Sequence, residues 1–154
     1  MATIIILNQL IDDLAVAFPE LVAKRDLYLV PTITFVPIVQ SFELQVAESA
    51  IEYGDFDGGI RTQQFTIDIG VLIKSTVDWQ DKHAEILSDT EKSLHVIKER
   101  VITALEGSFL TTSDLTRPLR IYRESAVVAF KANGVDGLVK ILTFIGGLND
   151  IRPR

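Results

Sequence analysis

Between Arg61 and Leu105 the apolar positions keep two different periods in succession. Phe65, Ile67, Ile69, Val71 and Ile73 fall on one side of an alternation that puts Thr66, Asp68 and Lys74 opposite. That is the period of a strand with one buried face. Beyond Asp78 and Trp79, Leu87, Leu94, Ile97, Val101 and Leu105 recur at steps of seven, three and four, with Gly107 just past the end. This spacing predicts an amphipathic helix from about Trp79 to Leu105. Ser88-Asp89-Thr90-Glu91 forms a capping-box pattern, so a short turn before a helix starting at Ser88 is the other reading. Val96 falls on the polar back of the helix and is a candidate contact with another subunit. A one-sided strand followed by a one-sided helix packs back on itself, because each has a face to hide.

Upstream, Leu7, Leu10, Ile11, Leu14, Phe18, Leu21 and Val22 share one helical face, and Pro19 should end or kink that helix near Ala17. From Leu27 to Val39 the chain is β-branched and aromatic, but Pro31 and Pro37 demote it to an edge strand or an extended connection. Phe42, Leu44 and Val46 then alternate with Glu43 and Gln45, while Ile51 and Tyr53 fall on the other parity. The slip predicts a bulge or break near Ala47 to Ala50. The run Gly54-Asp55-Phe56-Asp57-Gly58-Gly59 is the strongest turn signal, joining a strand that ends at Tyr53 to one that begins near Arg61. A glycine-rich tip carrying Phe56 and Ile60 is the pattern of a docking loop. Gly54, Asp55, Phe56, Asp57, Gly58, Gly59, Ile60 and Arg61 are therefore candidate interface residues. Leu119 to Lys131 is apolar on both parities, which predicts a central strand. A hairpin loop from Ala132 to Gly137, with Asn133-Gly134 near its start, leads to a last strand, Leu138 to Ile145, and a loose tail from Gly146. The expected fold is α+β: one domain over residues 1–154, a mainly antiparallel sheet of two hairpins with two amphipathic helices on one face.

Composition changes this picture in two ways. Hydrophobic residues make up 47% of the 154 and mean hydropathy is +0.28. A chain of this mass withdraws about 69% of its surface on folding, and the apolar excess suggests burial between subunits. Net charge is −6, which argues against a protein that grips nucleic acid through its phosphates. Without cysteine there is no thiolate or disulfide chemistry. Ile4 to Leu7 is too short for a membrane span.

Little else points to catalysis. His83 and His95 are twelve residues apart, about 120° around a continuous helix, and cannot share a metal there. Asp55-Phe56-Asp57-Gly58 resembles a calcium loop only until Thr66 falls where the bidentate glutamate belongs. Asp12 with Asp13, and Glu48 with Glu52, are paired carboxylates of ordinary solvated surfaces. No phosphate-cradling glycine loop or nucleophile elbow is present. Arg117, Arg120 and Arg123 form a small basic group, as do Arg152 and Arg154, both read as solvated arginines. The expectation is no catalytic residue, no cofactor and no metal.

The order of elements resembles that of the tail terminator proteins of tailed bacteriophages. It rests on a helix like Ile6 to Phe18, a hairpin like Phe42 to Val77, a helix like Trp79 to Leu105 and a closing strand pair like Leu119 to Ile145. Phe65 to Lys74, running into Trp79, carries it most closely, and the segment from Leu27 to Gly59 departs from it. The resemblance implies a structural, non-enzymatic virion protein assembled in the host cytoplasm. Such a protein forms a hexameric ring at the tail–neck junction that caps the tail tube protein and docks a neck or head-completion protein. DNA passes through the lumen without specific binding, and no membrane is involved. A neck or head–tail joining protein of the same virion is the alternative, and a small α+β enzyme or ligand-binding domain is the alternative from another class.

Overall fold

A computed structural model describes residues 2–38, 41–57, 60–75, 93–110 and 115–151. Helix α1 spans Ala2–Ala17 and stops where Pro19 requires it. Its stripe Leu10 and Leu14, continued by Phe18 just past its end, is fully buried. After a turn closed by the Val22 carbonyl, which accepts from the Asp26 amide at 2.8 Å, come β1, Leu27–Leu29, β2, Phe42–Asp57, and β3, Ile60–Lys74. Helix α2, Leu94–Leu105, precedes β4, Leu115–Glu124, β5, Val128–Ala132, and β6, Val135–Ile151.

The six strands form one sheet in the order β1-β2-β3-β6-β4, with β5 also on β6. The hairpins β2–β3 and β5–β6 are antiparallel as expected, but β1 runs parallel to β2, so the sheet is mixed. A parallel pair needs a crossover. Here residues 30–38 supply it as an extended strap across one sheet face. Its two prolines suit an extended path that makes no ladder. Ile33 lies over Gly70, where an added Cβ would come within 2.8 Å of it. Ile38 packs with Leu72 and Val139, and Phe35 stacks on Phe130 with centroids 5.0 Å apart.

Both helices cover the other face. Leu10 and Leu14 of α1, Phe18 just beyond it, and Leu94, Ile97, Val101 and Leu105 of α2 share one core with Leu44, Val46, Ile67, Ile69, Leu142 and Phe144. Arg100 of α2 fastens the end of α1, donating to the Ala17 carbonyl at 2.9 Å and to both Glu20 carboxylate oxygens while lying 4.2 Å from the Phe18 ring centroid.

Four expectations change. Helix α2 does not run unbroken from Trp79, because Ser93 has an extended backbone (ψ 150°) and caps the helix by accepting from the Val96 amide. His83 and the Ser88 box lie outside the described residues. The segment read as a central strand is instead an interrupted edge: β4 and β5 lie end to end along β6. Between them Ser125 stands in for a ladder residue, its amide donating to the Ile141 carbonyl and its hydroxyl accepting from the Ile141 amide, both at 2.8 Å. The hairpin loop shrinks to Asn133-Gly134, whose positive φ angles of 49° and 79° are those of a type I′ turn. The stretch read as a loose tail continues as β6, pairing with β3 as far as Ile60↔Ile151. The phase slip is real, a register shift between Glu48 and Ala50.

Candidate interface

The core ends partway along β2 and β3. In β2 every residue from Phe42 to Ala47 is buried, and from Glu48 to Gly54 only Ile51 is even partly covered. β2 and β3 therefore continue past the helices as an arm, backed by β6, which stays buried as far as Leu148, and by the start of β4. Its end is where the sequence placed a docking loop. The structure instead puts Gly54, Asp55, Phe56 and Asp57 in β2 and Ile60 and Arg61 in β3, with Asp57 paired to Ile60. Gly58 and Gly59 lie outside the described residues. The turn signal thus marks a hairpin end shorter than six residues, and a second register shift between Tyr53 and Phe56 absorbs part of it.

Val96 is not brought to this arm. It is half-buried on α2, in a shallow depression of about 500 Å³ with Ala17, His95, Glu99, Arg100, Thr103 and Ala104. The candidate residues therefore fall into two separate surfaces, one at the hairpin end and one beside the α1–α2 contact.

A different group emerges on the arm. In a regular strand Arg117 and Arg120 would point to opposite faces. Register shifts in β4 realign them, so Arg117 opposes Gly147, Arg120 opposes Ile145 and Arg123 opposes Thr143. These β6 positions alternate with Leu142, Phe144 and Leu148 of the helix-side core. All three arginines therefore share the face away from the helices. Arg117 lies across Gly147, with its aliphatic carbons 3.4 Å from where a Cβ would sit. Together with Glu52, Gly54, Thr62, Gln64 and Ile145, Arg117 and Arg120 line an open groove of about 490 Å³. Glu52 is on its β2 rim and the arginines on its β4 rim. The one-dimensional signal for this group was the bare Arg-x-x-Arg-x-x-Arg spacing, and only the bulged register gives that spacing a common face.

The ion pairs that do form lie elsewhere and tie elements together. Glu124 joins Lys98 of α2 at 3.2 Å to Lys140 of β6 at 3.4 Å. Burial pushes its carboxyl upward, but the two lysines outweigh that and hold it below the ordinary glutamate range. Asp26, buried beneath the turn before β1, accepts two hydrogen bonds from the Arg25 guanidinium and one from the Val22 amide. Arg25 is the main reason its carboxyl is held low. Among the described residues no three His, Cys, Asp or Glu side chains are grouped to hold a metal, and no described helix is long and apolar enough to cross a membrane.

No protein-family model matches the chain, and no curated protein matches it. Among solved structures, the chain is similar to a chain of the virion of a native gene transfer agent particle, at a TM-score of 0.51 and 15% sequence identity over 92% of each chain. At that identity the likeness is one of fold.

Proposed function

We propose that the chain is a structural virion protein that works by association rather than catalysis. In its finer form the reading is a ring resembling a tail terminator, capping the tail tube and offering its free face to a neck or head-completion protein. One observation carries it: the fold is shared, over 92% of both chains, with a component of a gene transfer agent virion. The order of elements supports it, as does the acidic net charge of −6. An acidic ring lets DNA pass where a basic one would retain it. The exposed arm, with a groove rather than a closed pocket, suits a surface that meets other proteins.

Light scattering on the purified protein tests this directly. A ring, hexameric in the finer reading, is expected at tens of micromolar, and a strictly single-chain species there overturns it. Particles assembled without the protein should carry tubes of uncontrolled length lacking heads. Tubes of normal length without heads would move the role to the neck.

A further inference from the structure

The sheet has two unequal free edges, and their chemistry is opposite. Among the described residues, β2 beyond Val46, where β1 stops covering it, pairs only with β3, and β4 pairs only with β6. The β4 edge exposes Arg117, Arg120 and Arg123, and the β2 edge exposes Glu52 on the arginines' face and Glu48, paired to Ile67, on the helix side. Among the described residues none of these five side chains makes an ion pair, although Arg25, Lys98, Arg100 and Lys140 all do. The two edges are separated by three strand spacings, roughly 14 Å, so within one copy they do not meet. Each edge also exposes a tyrosine, Tyr53 at 56% on β2 and Tyr122 at 65% on β4. Tyrosine and arginine are the residue types enriched at protein interfaces.

Strand direction makes the two edges compatible. β3 is antiparallel to β2, β6 to β3 and β4 to β6, so β4 runs antiparallel to β2. Rotating a second copy about an axis along the strands preserves their direction and brings its β2 beside β4 of the first in antiparallel sense. The edges also share a level, since Glu52 pairs with Gln64, Gln64 with Gly147 and Gly147 with Arg117. Continuing that row across the junction sets Arg117 of one copy beside Glu52 of the next.

We infer that these edges are the two halves of a head-to-tail contact between copies of this chain, with Arg117 and Arg120 on β4 of one copy meeting Glu52 on β2 of the next. The contact rests on the assembly proposed above and names the surface that makes it. Such a contact is heterologous, with different patches on the two sides, and it generates rings when the rotation closes. Pro118 has no amide to donate, and the bulges in both strands guard the edges against indiscriminate pairing. A guarded edge that accepts only the opposite charge gives a counted assembly instead of a fibre.

Charge reversal in the full chain tests this. Arg117→Glu with Arg120→Glu puts acidic groups on both sides of the contact, and Glu52→Arg puts basic groups on both. Each variant alone should need ~10-fold or more protein than wild type to assemble, because like charges then face each other. Mixed one to one, the two should assemble again as an alternating ring, which also excludes misfolding as the cause of the loss. Variants that assemble alone like wild type, or a mixture that fails to recover, overturn the contact while leaving the ring intact. A wild-type protein that is itself a single chain at tens of micromolar overturns the ring and the contact together. Arginine variants that assemble normally but lose binding to a labelled oligonucleotide would assign those residues to nucleic acid instead.

Discussion

Gln45 is the residue on which the strap depends. It is fully buried, and its side-chain amide does for Thr34 what a neighbouring strand would do. The Oε1 atom accepts from the Thr34 amide at 2.8 Å, and Nε2 donates to the Thr34 carbonyl at 2.8 Å and to the Tyr28 hydroxyl at 3.0 Å. Tyr28 in turn donates to Glu43 at 3.1 Å. Burial first, and then the Glu43 charge, push the phenol above its ordinary range. Gln45→Leu keeps the volume and removes these bonds. It should cost about 1–2 kcal/mol in urea unfolding and speed hydrogen exchange at the Thr34 amide more than at amides of β3. Neither role was legible in the chain. Glu43 and Gln45 alternate with Phe42, Leu44 and Val46 and therefore read as the solvent side of an amphipathic strand. They are buried because a distant segment with two prolines covers that side, and one-dimensional periodicity carries no information about a covering segment. The arginines of β4 were hidden for a related reason, since only the bulges place them on one face.

At the level of elements, the caps and the interruptions decide what the periodicity leaves open. Leu87 and Leu94 are seven apart, in phase for one helix, yet Ser93 turns its backbone into the extended region and begins α2 afresh. Hydrophobic spacing alone does not mark such a boundary, because a cap changes the backbone and leaves the apolar period in the sequence intact. Only the hydroxyl bonding to Val96 reveals it. Ser93→Ala removes that bond at a site 1% exposed and should cost about 1 kcal/mol, read as a lowered thermal midpoint. Ser93→Thr keeps the acceptor and should restore most of it. The same logic explains β4 and β5. Their apolar residues on both parities suggested a central strand, whereas an edge strand broken at Ser125 also touches two environments, the helix-side core and the strap. By contrast, α1, the β2–β3 hairpin and the Asn133-Gly134 turn were readable, because proline, strict alternation and a glycine with positive φ act locally.

Across the whole molecule, acid should weaken the links that join its parts. Glu20, Asp26 and Glu124 are each held below their ordinary values, by Arg100, by Arg25, and by Lys98 with Lys140. A carboxyl depressed in the folded state binds fewer protons than in the unfolded chain, so its contribution is complete above the unfolded value. It fades as pH falls through the folded one. The urea midpoint should therefore hold steady above about pH 5 with respect to these groups and drop below the ordinary glutamate value of 4.5. Glu124→Gln should flatten part of that drop. Glu20 and Glu124 tie the helices to the rest of the fold, Glu20 between α1 and α2 and Glu124 between α2 and the sheet. Loss of the helix layer from the sheet is accordingly the first expected step of acid unfolding.

The position of β6 has a consequence for how the chain is made. Its 17 residues occupy the middle of the sheet, with β3 along one side and β4 and β5 along the other. A ribosome delivers it after every strand that it joins. Until β6 emerges, the β2–β3 hairpin and the β4–β5 edge are separate pieces, each with an apolar side uncovered and no ladder between them. The sheet therefore closes late in synthesis, through contacts between residues as far apart in sequence as Ile60 and Ile151. Such long-range closure is slow and exposes apolar surface while it waits. Crowded production sites are where this chain would most need a holding partner.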